Sequence, residues 1–286
     1  MAEESSSALP FIGQRRELGR PSPAGGALCR AAPLNLGAGS DLTRQDRKRV
    51  LLVSKILADH PGPARRFALP SFRLRNRYAK IDGWLRSRSL AGLHEIQLSY
   101  DIEDPRLPYP LPPSALRFAP TLCAAEFGWC DFPSEMAVPS LKFPCLKKLS
   151  LHGVTMTEDA LHSLLSGCPV LESLLLEGNV GVGRLRINSP TLRSIGFNVS
   201  RYRARVENLI LLQELIIEDA PCLERLLSLS PTNGPESIRI MRAPKLEVLG
   251  LLSKGITKLE IGTTVFQVET AILICVLYNA FLIGGD

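Results

Sequence analysis

The sequence contains no G-x-S-x-G segment, no C-x-x-C pair and no lysine-bearing phosphate loop. Those absences remove the common signatures of a serine nucleophile, a redox or zinc site and a nucleotide site. Gly178-Asn-Val-Gly181-Val-Gly183 departs from G-x-G-x-x-G and is followed by a strand phrase instead of a helix, so it reads as a turn. The four histidines, His60, His94, His152 and His162, keep no metal-ligand spacing. Carboxylates such as Glu126, Glu172, Glu177, Glu214 and Glu218 fall at strand phrases, and nothing marks an acid and base pair among them. No enzymatic activity, cofactor or metal is therefore expected.

Targeting signals are missing as well. The opening MAEESSSALPFIGQRRELGR has no apolar run behind a basic stub, so no secretory signal is expected, and the sequon Asn198-Val-Ser200 is then idle. Seven cysteines, Cys29, Cys123, Cys130, Cys145, Cys168, Cys222 and Cys275, form an odd set. They are expected to be buried free thiols in a reducing compartment, the cytoplasm or nucleus. With 45% hydrophobic residues over 286 positions, the chain is expected to be largely folded.

What is present is a repeated phrase: an apolar residue, two variable residues, an apolar residue, one variable and one more apolar, usually with proline two positions ahead. It stands as Pro144-Cys-Leu146-Lys-Lys-Leu149-Ser-Leu151, Pro169-Val-Leu171-Glu-Ser-Leu174-Leu-Leu176, Pro190-Thr-Leu192-Arg-Ser-Ile195-Gly-Phe197 and Pro244-Lys-Leu246-Glu-Val-Leu249-Gly-Leu251. Looser copies begin at Leu93, Leu122, Leu212, Leu223 and Ile256, which gives successive gaps of 29, 24, 25, 21, 20, 11, 23 and 10 residues. Most of these suit a leucine-rich repeat, and two are half-length. The alternation at the end of each phrase is that of a strand with one buried face, too short to bury it alone. Stacked copies then form an α/β solenoid whose parallel sheet lines the concave side.

Four stretches are expected: a disordered segment at 1–40, a basic helical cap at 41–88, repeats at 89–267 and an apolar tail at 268–286. Thr43 and Asp46 suggest the start of a helix over about 42–59, closed by His60-Pro61-Gly62-Pro63, and Tyr78, Ile81 and Leu85 suggest a second, shorter one. A return helix is expected over 157–167, with Thr157 as cap, Ala160, Leu161, Leu164 and Leu165 inward, and Gly167 as a left-handed terminator. Between Arg44 and Arg88 thirteen Lys or Arg face three Asp, a net of +10 in a chain whose total is +6. Such a block suits either a polyanion or the solvated face of capping helices. The run Thr270 to Gly285 carries no charge but falls short of the ~20 residues of a spanning helix, so it reads as a tail that covers the last repeat. Nucleic-acid binding through 44–88 and membrane tethering through the tail are the alternatives; neither partner is the expected one.

Alternation assigns the concave face. Lys148, Ser150 and His152 face out of one strand, then Ser173, Leu175 and Glu177, then Ser194, Gly196 and Asn198, then Glu214, Ile216 and Glu218. Leu175 and Ile216 are apolar where water is expected, as on a protein-binding surface.

The segments DHPGPARRFALPSFRLRNRYAKIDGWLRS at 59–87, LKFPCLKKLSLHGVTMTEDALHSLLSGCPVLESLLLEGN at 141–179 and SPTLRSIGF at 189–197 resemble the plant F-box proteins with leucine-rich repeats, the group that often ends in an FBD domain. The resemblance covers roughly residues 30 to 267, and Gly167-Cys168-Pro169-Val170-Leu171-Glu172 is its most specific piece. It implies a protein-binding module like the substrate-recognition part of an SCF-type ubiquitin ligase, with an unidentified protein as substrate. Residues 1–29 carry none of the leucine and proline pattern of an F-box, so association with a Skp-type adaptor is not expected. The resemblance stops near Gln267, before further repeats and any FBD domain.

Overall fold

The computed structural model describes residues 34–37, 45–60, 63–72, 77–101, 109–133, 141–199, 209–250, 252–267 and 276–277. In chain order the first elements are β1 (Leu34–Gly37), α1 (Asp46–Asp59), β2 (Ala64–Phe72), α2 (Tyr78–Leu85), β3 (Glu95–Tyr100), β4 (Tyr109–Pro110), β5 (Ala124–Gly128), β6 (Cys130–Asp131), β7 (Lys148–His152) and α3 (Glu158–Ser166). They are followed by β8 (Ser173–Glu177), β9 (Arg184–Asn188), β10 (Ser194–Asn198), β11 (Glu214–Asp219), β12 (Arg225–Ser228) and β13 (Ser237–Ile240). The last are β14 (Val248–Leu249), β15 (Lys258–Ile261), β16 (Thr264–Gln267) and β17 (Val276–Leu277).

The repeat phrases stack as their alternation predicts. Strands β1, β2, β3, β5, β7, β8, β10, β12 and β14 pair in that order as one parallel sheet, and β17 closes its edge antiparallel to β14. Inward residues fall in register: Phe67, Ile96, Ala125, Leu149, Leu174, Ile195 and Leu226 make one buried row, and Leu98, Phe127, Leu151, Leu176 and Phe197 the next. A single apolar core runs from Leu36 to Leu259.

The return legs change character along the chain. In the repeat that follows β7, the leg is α3, where the Thr157 hydroxyl accepts a hydrogen bond from the Ala160 N–H at 3.2 Å and Ala160, Leu161 and Leu164 face the core. Gly167, expected as a left-handed terminator, has an ordinary helical φ of −75°. Glycine is needed there for space: a Cβ would stand 2.4 Å from the Leu141 carbonyl oxygen. After β8 the legs are strands, and β9, β11, β13 and β15 form a second parallel sheet closed by the antiparallel β16. Extended chain crosses the same gap in about half the residues that a helix needs, because it rises about 3.3 Å per residue instead of 1.5.

This second sheet accounts for the irregular spacing. The phrases that start at Leu212 and Ile256 are β11 and β15, return strands and not concave ones. Without them the leading leucines Leu93, Leu122, Leu146, Leu171, Leu192, Leu223 and Leu246 are separated by 29, 24, 25, 21, 31 and 23 residues. The turn 178–183 joins the two sheets, with Gly178 and Gly181 at φ of +59° and +92°; a Cβ on Gly181 would meet the Met156 carbonyl oxygen at 2.3 Å.

Both ends differ from the expected divisions. β1 lies inside the stretch read as disordered, and β2 extends the repeat sheet into the stretch read as a cap; residues 1–33 lie outside the described residues. α1 begins at Asp46, one position after Gln45, which makes no side-chain cap, and Thr43 is outside the described residues. In the tail, β17 adds to the larger sheet beside Val248 and Leu249; the rest of residues 268–286 is not described. Among the described residues no helix is long and apolar enough to cross a membrane. Of the five described cysteines, Cys130 and Cys168 are buried, Cys123 and Cys222 are half-buried and Cys145 is exposed, all as free thiols. Burial pushes the Cys168 thiol up to about 12, which keeps it protonated and unreactive.

Four of the thirteen cations in the basic block make contacts within the fold. Arg49 is buried and donates to the carbonyls of Pro70 and Ser71, Arg77 pairs with Asp46 at 3.4 Å, Arg86 with Asp82 at 2.7 Å and Arg66 with Glu95 at 3.2 Å.

Candidate functional site

The outward face of the larger sheet is built from the variable positions of the repeat phrases. Register aligns them in three rows. The first holds Arg66, Glu95, Ala124, Lys148, Ser173, Ser194, Arg225 and Val248. The second holds Ala68, Gln97, Glu126, Ser150, Leu175, Gly196 and Leu227. The third holds Ser99, Gly128, His152, Glu177 and Asn198. The structure thus brings Lys148, Ser150, His152, Ser173, Leu175, Glu177, Ser194 and Asn198 onto one face, although Ser194 is buried there at 3% exposure.

It does not bring Glu214, Ile216 and Glu218 to them. Those residues lie on β11 in the smaller sheet, where alternation is the same but the partners differ. Glu214 pairs with Arg184 at 2.5 Å and Glu218 with Arg186 at 3.5 Å, while Arg239 reaches Glu260 at 2.5 Å and Glu260 also pairs with Lys258. Ile216 stands in register between Arg186 and Arg239 and is 5% exposed, which fits long aliphatic stems covering it. Surface pairs of this kind add little to stability because water and salt screen them. They pair the charges of this sheet with one another, while Val265 and Phe266 on its edge strand β16 stay exposed.

A polar chain crosses the larger sheet. Gln97 donates from Nε2 to Glu126 Oε1 at 2.9 Å, His152 Nε2 lies 4.0 Å from the same Glu126 oxygen, His152 Nδ1 lies 3.0 Å from Glu177 Oε2, and Asn198 Nδ2 donates to Glu177 Oε1 at 3.4 Å. Five strands are linked in this way. The hydrogen bond from His152, with a smaller contribution from Asn198, holds the Glu177 carboxyl below its ordinary value although its partial burial opposes this. A carboxyl with a depressed value contributes stability above the ordinary carboxylate range and loses it as pH falls through the depressed value. His152→Ala is therefore expected to move the Glu177 titration upward, read by carboxyl NMR; an unmoved titration would show that the pairing is absent in solution.

Next to this chain the face turns apolar. Leu175 and Leu227 flank Gly196 in register, and Leu229 and Val248 are 46% and 39% exposed. A Cβ on Gly196 would lie 2.9 Å from Leu175 Cδ1 and 3.7 Å from Leu229 Cδ1, so glycine is what allows these leucines to meet over β10. Gln97, Glu126, Leu227 and Leu229 were not among the residues that alternation assigned to the face. Gln97 and Glu126 sit in the same slot of the looser phrases at Leu93 and Leu122, and that slot was their signal. Among the described residues no three of His, Cys, Asp and Glu converge as a metal would require.

The repeat fold agrees with what comparison with known proteins finds. Residues 81–277 match the family model described as FBD-associated F-box protein At5g56370, LRR repeats, so the match continues ten residues past Gln267 into the apolar tail. A curated relative, the F-box/FBD/LRR-repeat protein At1g13570 of Arabidopsis thaliana, is 30% identical over 127 residues, which is 44% of this chain and 29% of the relative. The chain thus spans less than a third of the relative's length. No solved structure matches the chain. Since the family model covers more than half of the residues, the chain belongs to the leucine-rich-repeat family of the plant F-box/FBD proteins.

Proposed function

We propose that this leucine-rich-repeat module binds a protein on the outward face of its larger sheet, in the cytoplasm or nucleus, and resembles in this the substrate-recognition part of an SCF-type ubiquitin ligase. One observation carries the reading: the face offers apolar Leu175, Leu227, Leu229 and Val248 beside a polar chain, with no element of the described chain packed over Leu229 and Val248 as their exposure shows. Apolar side chains ringed by polar ones are the usual composition of a protein-binding surface. The smaller sheet, by contrast, pairs its charges with each other.

Affinity capture from plant extract tests this. The full chain is compared with a Ser150→Arg, Ser173→Arg double variant, which adds bulk and charge to the face while leaving the inward rows intact. Eluates are scored for cullin and adaptor subunits as well as for other proteins. Proteins retained by the unaltered chain are expected to be lost with the double variant. Identical eluates would overturn the reading.

A further inference from the structure

The two halves of the docking face together define the chemistry of what lies across it, an inference that rests on the protein-binding reading above. Glu126 and Glu177 flank His152 on β5, β7 and β8, with side chains 36% and 41% exposed. One imidazole cannot neutralise two carboxylates, so the trio keeps a negative charge whichever way the histidine is protonated. Arg66 is already paired with Glu95. Lys148 and Arg225 stand in the first row, and Lys148 is four residues from His152 on the same strand. By the same register Lys148 lies about 8 Å from Glu126, which it offsets in part, and about 14 Å from Glu177, beyond a screening length of about 8 Å at physiological salt, so the trio keeps a net negative charge centred on Glu177. Over β10, two strands from His152, the leucine patch around Gly196 begins.

We propose that the face takes an extended protein segment that sets an arginine or lysine against Glu126 and Glu177 and an aliphatic or aromatic side chain on Leu175, Leu227 and Leu229. Charge complementarity selects this occupant over an acidic one. The two subsites are two inter-strand steps apart, about 10 Å, which extended chain covers in about three residues. In a polyproline-type segment residues three apart lie on the same side, so one segment can fill both.

The test uses the full chain and two fluorescent nonapeptide pools, with leucine fixed at the seventh position and either arginine or glutamate at the fourth, read by fluorescence anisotropy. The arginine pool is expected to bind at least about tenfold tighter, a difference that shrinks as salt rises. Glu126→Gln with Glu177→Gln should erase the preference while leaving weak binding of both pools. Ser150→Lys, which puts a cation next to Glu126, should do the same by a second route. Equal affinity for the two pools, or no binding of the arginine pool, overturns the proposal. If the pools are equal and Leu227→Ser weakens both, the charge selectivity falls while the docking face stands. Self-association abolished by the paired glutamine variant would assign the face to a second copy of this chain and likewise overturn it.

Discussion

Leu174→Asp is expected to leave the repeat region unfolded or aggregated at room temperature. Leu174 is 1% exposed on β8 and stands in register between Leu149 and Ile195, with no charged residue in its row. The substitution removes the contacts of a buried leucine, about 2–5 kcal/mol, and adds the cost of a buried polar group without a partner, which is several kcal/mol more. A domain has about 5–15 kcal/mol in total. Because each repeat buries its face only against its neighbours, the loss spreads along the array. Leu175→Asp is the matched control: one position along, it points to the outward face and should melt within a few degrees of the unaltered chain. Thermal unfolding followed by circular dichroism decides between them. Equal melting curves for the two variants would falsify the assignment of faces on β8.

That assignment was legible because a period of two leaves only one register that buries Leu149, Leu151, Leu174 and Leu176. The α3 helix was legible for an equally local reason, a threonine cap followed by acidic residues and an inward stripe. The second sheet was not. Leu212-Gln-Glu-Leu215-Ile-Ile217 and Ile256-Thr-Lys-Leu259-Glu-Ile261 repeat the concave phrase, and alternation states that one face is buried without stating in which of two sheets. The half-length gaps of 11 and 10 residues were the only trace, since a repeat cannot place two concave strands so close. Glu214, Ile216 and Glu218 were carried to the wrong face by that ambiguity.

The site shows the same limit. Its residues on β7, β8 and β10 could be assigned from sharp phrases, whereas Glu126 sits in a phrase whose central leucine is replaced by Ala125. Cross-strand pairs such as Glu126 with His152 or Arg184 with Glu214 join residues 26 and 30 positions apart, and become visible only once register is fixed. Charge counts had the opposite defect. They made residues 44–88 look like one basic surface, although the block includes an arginine that belongs to the core.

Arg49→Met is expected to cost about 3 kcal/mol or more, which would be large for a residue counted as part of a solvated patch. Arg49 is 1% exposed; Nη2 donates to the Pro70 carbonyl at 2.7 Å and Nη1 to the Ser71 carbonyl at 3.3 Å, with Asp46 Oδ1 3.6 Å away and the Phe72 ring centroid 5.1 Å away. The reason lies in β2. Its register with β3 shifts between Leu69 and Phe72, Ser71 has a φ of +47°, and the guanidinium takes up the two carbonyls at this break. Methionine fills similar space but supplies no donor, so the Pro70 and Ser71 carbonyls lose the guanidinium and, among the described residues, Asp46 is left with its 3.4 Å pairing to Arg77. Lysine should recover part of the loss, because it keeps the charge but cannot fork between two acceptors or stack flat on the ring. Arg47 and Lys48, the exposed neighbours on α1, should each tolerate methionine to within about 0.5 kcal/mol. Urea unfolding midpoints of the four variants separate the two readings of the block. If all three methionine variants unfold at the same midpoint as the unaltered chain, Arg49 is a surface cation after all and polyanion binding through 44–88 regains its footing; if only Arg49→Met falls, the positive charge in this stretch is in part a structural pin for β2.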